Sequence, residues 1–179
     1  VHPSLPPSPW LLRWLPLLPL GGSALDLACG SGRHANRLVA AGLRVTGVDL
    51  APDGLDAAIE RIQADLEQGP WPLTGRRFDV VLVTNYLWRP RWPELLDCVD
   101  DWYLHETFAI GQEQLGRPRN PDFLLQPGEL LRVCAGAGLH VLAYEDGVVN
   151  GARIQRVAAQ RRSGSRPLLE SAVQPPSHP

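Results

Sequence analysis

Short apolar runs alternate along the chain with segments whose apolar positions recur at helical spacing, and glycine or proline stands at most of the boundaries. That is the pattern of strands buried on both faces and joined by crossover helices. The first run, Leu25-Asp26-Leu27-Ala28-Cys29, ends in the turn Gly30-Ser31-Gly32 and opens into a helix predicted from Arg33 to about Ala41. Ala35, Leu38 and Val39 fall at i, i+3 and i+4 there, and Gly42 caps the end. A second strand is predicted over Leu43–Leu50, then a helix over Pro52–Ile62 and a very short third strand over Ile62–Leu66. This interval is tight, because a parallel crossover takes about a dozen residues by itself. After the turn-rich Gly69–Gly75, Phe78–Thr84 is the clearest buried strand, followed by a two-turn helix over Pro93–Val99 and a fifth strand over Trp102–Phe108.

The irregular segment 109–128 leads into a helix with Pro127 at its start, Glu129 in its first turn and Gly136 and Gly138 as its stop. Leu139–Val149 and Ala152–Gln160 read as strands joined at Asn150-Gly151, a strong hairpin signal. At the ends, residues 1–9 are rich in Pro and Ser and read as loose, and 163–179 reads as a disordered polar tail. A short amphipathic helix is predicted from Trp10 toward Leu20, so the folded domain is expected over residues 10–162.

An apolar strand that delivers a glycine turn to a helix N-terminus is a place where backbone N–H groups approach a ligand. Asp49, at the end of the second run, offers two acceptors to the vicinal hydroxyls of a ribose. Gly30-x-Gly32-x-x-Ala35 with Asp49 about 20 residues on also satisfies the dinucleotide fingerprint, so a nicotinamide-dependent oxidoreductase is one reading. Asp26 speaks against it. A carboxylate inside the first strand is costly unless a cation or N–H groups meet it, and the α-amino group of an amino-acid-bearing cofactor would do so.

Thr84, Asn85, Tyr86 and Trp88 follow the fourth strand, at the carboxyl edge where ligands of open α/β sheets sit. Asn85 offers a donor and an acceptor, and Tyr86 or Trp88 a ring for a ligand; simple cover of an apolar patch is the alternative for Trp88. Glu106 is the best-placed candidate base, with His105 behind it on the opposite strand face; a structural or substrate-binding role for both is the alternative. Arg117 and Arg119 could hold an anion, or they could cap carbonyls and pair with Glu113 and Asp122.

With 179 residues, 44% of them hydrophobic, the chain suits one domain with a substantial core. A net charge of −2 advertises neither a nucleic acid nor a basic partner. There is no Lys and no Met, which excludes a Tyr-x-x-x-Lys reductase dyad, a Schiff-base lysine and a P-loop lysine. Cys29, Cys98 and Cys134 form neither a C-x-x-C pair nor an even framework, which points to a reducing compartment and away from structural zinc. Cys29 reads chiefly as packing. The run Trp10–Leu20 is interrupted by Arg13, Pro16 and Pro19, too broken for a membrane span, so a cytoplasmic protein is expected.

LDLACGSGR resembles the first motif of class I S-adenosylmethionine-dependent methyltransferases, and VTGVDL the second. Ala28 stands where that family often has its first glycine. Ala64-Asp65-Leu66-Glu67 resembles the segment facing the adenine amino group, and Phe78–Val83 the fourth strand. The chain is similar to small bacterial methyltransferases near the tellurite-resistance and thiopurine enzymes. The resemblance implies a Rossmann-like α/β fold with a mostly parallel sheet, helices on both faces and a C-terminal antiparallel hairpin.

It implies S-adenosyl-L-methionine as cofactor, held by Asp26 and by the loop Ala28, Cys29, Gly30, Ser31, Gly32, Arg33 and His34. Asp49 and Leu50, Asp65 and Leu66, and Thr84 and Asn85 complete that set. Arg33 and His34, at the helix start, would touch the cofactor carboxylate; a capping or solvent-facing position is the alternative for His34. Glu106, Asn85 and Tyr86 are the candidate catalytic residues, and Trp88, Arg117 and Arg119 the candidate substrate contacts. A small-molecule acceptor follows. A degenerate cofactor-binding or scaffold protein without turnover is the rival reading, favoured by the short intervals after Asp49 and before Trp102.

Overall fold

Phe78–Thr84 forms β4, a β-branched strand buried along nearly its whole length, and the sheet is built outward from it. The computed structural model describes residues 6–161. The strands are β1 (Ser23–Leu27), β2 (Arg44–Asp49), β3 (Glu60–Gln63), β4, β5 (Val99–Phe108), β6 (His140–Val149) and β7 (Ala152–Gln160). Their order across the single seven-stranded sheet is β3-β2-β1-β4-β5-β7-β6. β1 to β5 pair in parallel, whereas β7 enters antiparallel between β5 and β6. The β6–β7 turn places Asn150 (φ 50°) and Gly151 (φ 79°) in the left-handed region, as a two-residue hairpin with the sheet's twist requires.

Alternation along the strands sorts the core into two layers. On one face, α1 (Pro9–Trp14) and α2 (Ala35–Ala40) pack with Ala24, Val80, Leu82, Trp102 and Leu104. Trp10, Trp14 and Trp102 form its centre, with successive ring centroids 5.6 and 6.0 Å apart. On the other face, Leu25, Leu27, Val81, Val83 and Tyr103 pack with residues of α3 (Trp92–Asp97) and α5 (Glu129–Gly136). A further turn of helix, α4 (Gln112–Leu115), lies in the segment after β5.

Several expectations change. The helix predicted over Pro52–Ile62 does not form, and β3 begins at Glu60 rather than Ile62. The crossover is pinned instead to the start of α2: Asn36 donates to the Gly54 carbonyl and accepts from the Asp56 N–H, and Leu55 is buried against Gly32. Pro52, Gly54 and the local turn formed by Asp56, which accepts from Ala58, disfavour a helix over the same stretch. The interval before Trp102 is short because β5 starts at Val99 and takes Asp100 and Asp101 into the strand. Of the segment read as loose, Ser8 is 6% exposed and caps α1 by accepting from the Trp10 N–H. The proposed tail at 163–179 lies outside the described residues.

Candidate functional site

β1 ends in a turn where every second residue is left-handed: Ala28 (φ 58°), Gly30 (φ 53°) and Gly32 (φ 79°). Such alternation folds successive N–H groups into an anion-binding concavity. Ala28 pays roughly 1–2 kcal/mol for that conformation, which a glycine would not. Gly32 is required twice over, since a Cβ there would also lie 2.5 Å from Leu55 Cδ2. Asp49, at the end of β2, closes the turn: Oδ2 accepts from the Gly30 N–H at 2.8 Å and Oδ1 from the Ala51 N–H at 3.0 Å. Each oxygen keeps acceptor capacity for a ligand hydroxyl.

Ala28, Asp49, Leu50, Asp65, Leu66 and Tyr86 line one cleft of about 320 Å³ beyond the carboxyl ends of β1, β2 and β4. Across it, Asp65 Oδ1 accepts from the Gln68 and Glu67 N–H groups, which hold its carboxyl below the usual range. Tyr86 lies beside the Asp65–Gln68 wall, and burial pushes its phenol well up.

Asp26 is fully buried on the α2 face, and neither oxygen has a hydrogen-bond partner among the described residues. Burial pushes its carboxyl up to about 7; the Ala35 backbone N–H and the Arg33 charge oppose the shift, and Asp49 adds to it. Cys29 is buried with its Sγ against Gly47, and burial, Asp26 and Asp49 push the thiol up to about 12. It is a packed thiol, not a nucleophile. Ser31 is exposed at the tip of the turn.

The other predicted residues gather at a second point, beside the cleft. His34 Nε2 accepts the Ser8 N–H at 3.1 Å, so its proton sits on Nδ1 and is donated to Thr84 Oγ1 at 2.9 Å. Burial, with the neighbouring Arg33 charge, lowers this imidazole to about 4. Both His34 nitrogens are therefore engaged within the chain, and a contact from His34 to a cofactor carboxylate would have to displace one of these bonds. Glu106 is likewise engaged: Ser8 Oγ donates to Oε1 at 2.7 Å, and Arg156 Nη1 meets Oε2 at 3.2 Å. Arg156 stacks 4.7 Å over Trp10 and shares Glu145 with Arg13.

His105 faces the opposite layer, as the strand alternation predicts. Its Nε2 donates to the Tyr86 carbonyl at 3.1 Å, and its Nδ1 accepts from the Tyr103 hydroxyl at 2.6 Å. Asn85 is exposed at the turn after β4 in a left-handed conformation (φ 54°), with its N–H on the Glu106 carbonyl. Trp88 is half-buried and outside the cleft. Arg117 and Arg119 are exposed, and among the described residues neither guanidinium takes part in a hydrogen bond or ion pair. The alternative in which they pair with Glu113 and Asp122 is thus not realised: Glu113 accepts from the Gly111 N–H, and the Asp122 carbonyl takes Arg89.

Sequence reasoning missed Ser8, Arg89, Arg91 and Arg156. The two arginines flanking Pro90, directly after the fourth strand, were a visible signal; the partners of Ser8 and Arg156 are too remote in the chain to show.

The donor set fits S-adenosylmethionine. A left-handed glycine turn, a diol-matched carboxylate and a second carboxylate across the cleft lie at the ends of strands that also carry the buried Asp26 carboxyl. Strand order and the antiparallel β7 define the Rossmann-like methyltransferase architecture. Residues 24–103 match the family model described as a methyltransferase domain.

The chain is 36% identical over 87 residues to the Bacillus subtilis (strain 168) protein named "Putative methyltransferase YqeM", covering 42% of this chain and 35% of that protein. It thus spans about a third of that relative's length. Among solved structures, a TehB-like SAM-dependent methyltransferase from Corynebacterium glutamicum superimposes with a TM-score of 0.61 at 19% identity, covering 87% of this chain and 89% of its own. TehB from Haemophilus influenzae does so with a TM-score of 0.68 at 15% identity, covering 90% of this chain and 64% of its own. Both show the same fold.

Proposed function

We propose that the protein transfers a methyl group from S-adenosyl-L-methionine to a small molecule in the cytoplasm. The observation that carries this reading is the cleft lined by Ala28 at the start of the glycine turn, Asp49, Asp65 and Tyr86. In it, Asp49 would take the ribose hydroxyls and Asp65 the adenine amino group. The Ser31 N–H, at the exposed tip of the turn, would meet the donor's carboxylate, and Asp26 would answer its ammonium, directly or through water. The donor itself supplies a methyl on a sulfonium, whose neutral leaving group makes an in-line displacement feasible without acid catalysis.

The protein's part is alignment and exclusion of water. Glu106, engaged by Ser8 and Arg156, orients the corner beside the cleft rather than waiting as a free base, which suits an acceptor whose nucleophilic lone pair is already available at neutral pH, such as a thiolate or a chalcogen oxyanion. Asn85 is the exposed polar group nearest this corner in sequence, and Trp88, Arg117 and Arg119 remain the proposed acceptor contacts on the surrounding loops. The near-balanced charge and three unpaired cysteines support a small acceptor and a reducing compartment, and no described helix is long and apolar enough to cross a membrane.

Calorimetric titration with S-adenosylmethionine, S-adenosylhomocysteine and NADH tests the reading. Binding of both adenosyl ligands, weakened at least about tenfold in Asp49→Ala and absent for NADH, is the expected result. No adenosyl binding by folded protein would sink it. The helix-free crossover after β2 favours a second reading, a donor-binding protein without turnover; adenosyl binding with no methyl transfer to any thiol or chalcogen oxyanion would select it.

A further inference from the structure

The turn after β4 contains Arg89-Pro90-Arg91, one turn of 3₁₀ helix closed by the Arg91 N–H on the Trp88 carbonyl. The two guanidinium groups leave it in different directions and are bound in the same way, each by one carboxylate and two backbone carbonyls. Arg91 donates from Nε to the Leu66 carbonyl at 3.1 Å, from Nη2 to the Gly69 carbonyl, and from Nη1 to Glu94 at 3.0 Å. Leu66 and its neighbours are one wall of the cleft. Arg89 donates to the carbonyls of Asp122 and Leu124 at 2.6 and 2.8 Å, and forks onto Glu129 at 2.7 and 2.9 Å. Asp122 and Leu124 belong to the segment between β5 and α5, where the acceptor is proposed to lie.

A planar fork on two carbonyls fixes both position and direction, which an ammonium cannot do. Pro90 holds the residue between the two arms at a fixed φ. The wall of the donor cleft and the segment 120–125 are therefore joined through one short rigid turn. Neither arginine lines the cleft, so both are positioning residues.

We propose that Arg89-Pro90-Arg91 is a brace that couples occupancy of the donor cleft to the order of the acceptor segment. The inference rests on the reading of that cleft as the donor site. A ligand pressed against Leu66–Gln68 stiffens the carbonyls that Arg91 holds, and the turn passes that restraint through Arg89 to residues 120–125. Coupling of this kind has to be reciprocal.

The test combines calorimetry with S-adenosylhomocysteine and amide hydrogen exchange on the whole chain, in wild type, Arg91→Gln, Arg91→Lys and Arg89→Gln, each checked for folding by circular dichroism. In wild type, S-adenosylhomocysteine is expected to slow exchange at Phe123, Leu124 and Leu125. Arg91→Gln and Arg91→Lys should weaken its binding about tenfold and abolish that distant protection. Arg89→Gln should leave the affinity within about twofold while also abolishing it. Should Arg91→Gln fail to fold, Arg91→Lys, which keeps the charge and loses the fork, carries the same test. Absence of heat with wild type would overturn the donor-site reading. Binding that protects no amide in 120–125, or protection that survives in the variants, would overturn the brace alone.

Discussion

The proposed donor cleft and the corner around Glu106 lie side by side at one edge of the sheet, yet they are assembled differently. In the cleft, Asp65 bonds the N–H groups two and three residues on, and Asp49 those of Ala51 and of Gly30 on the adjacent strand's turn. In the corner, Ser8, His34, Thr84, Glu106 and Arg156 come from five separate parts of the chain. A site made from short-range turns survives drift elsewhere, whereas the corner depends on every element that delivers a side chain to it.

The sharpest way to break the corner and spare the cleft is Trp10→Ala. Trp10 is 1% exposed, carries Arg156 on its face and donates to the Val157 carbonyl; its truncation is expected to cost about 3–5 kcal/mol in denaturant unfolding.

Titration separates the two regions next. Asp26, at about 7 in the fold against 3.8 unfolded, keeps a proton that the unfolded chain has shed, so its contribution to stability falls as pH rises from about 4 to 7, by on the order of 4 kcal/mol. Asp26→Asn should remove that fall in urea midpoints measured across the range. His34, at about 4 against 6.5, works in the opposite sense. Its contribution is present above pH 6.5 and lost as pH drops toward 4, by on the order of 3 kcal/mol, and His34→Gln should abolish that loss.

Gly32→Ala, which meets both the left-handed φ and Leu55, is expected to cost about 1–3 kcal/mol in thermal unfolding and to weaken adenosyl binding. Ser8→Ala removes a helix cap and a bond to Glu106, for about 1 kcal/mol. Unchanged stability in that variant would mean the corner holds without its N-terminal residue.

What could be read from the chain follows the same division. The glycine turn, Asp49, β4 and the Asn150-Gly151 hairpin were legible because each is fixed by neighbours in sequence. The helix predicted over Pro52–Ile62 failed because Asn36 and Gly32, far back in the chain, offer Gly54, Leu55 and Asp56 better partners than a helix would. Glu106 was found by its place at a strand end, but its engagement by Ser8 and Arg156 spans separations that no local pattern records. Arg117 and Arg119 were singled out for their chemistry, and both are exposed, with neither guanidinium engaged among the described residues.

β7 has a consequence for how the molecule is made. Residues 152–160 fill the gap between β5 and β6, and the same strand supplies the carbonyl that receives Trp10. During synthesis, β5 therefore presents a bare edge and Trp10 lacks the acceptor for its indole N–H until β7 has cleared the ribosome. The nascent chain can assemble β1 to β4 early, but the edge of β5 is covered only when β7 arrives, and a chain interrupted before Ala152 would expose an open strand edge to its neighbours on the same message.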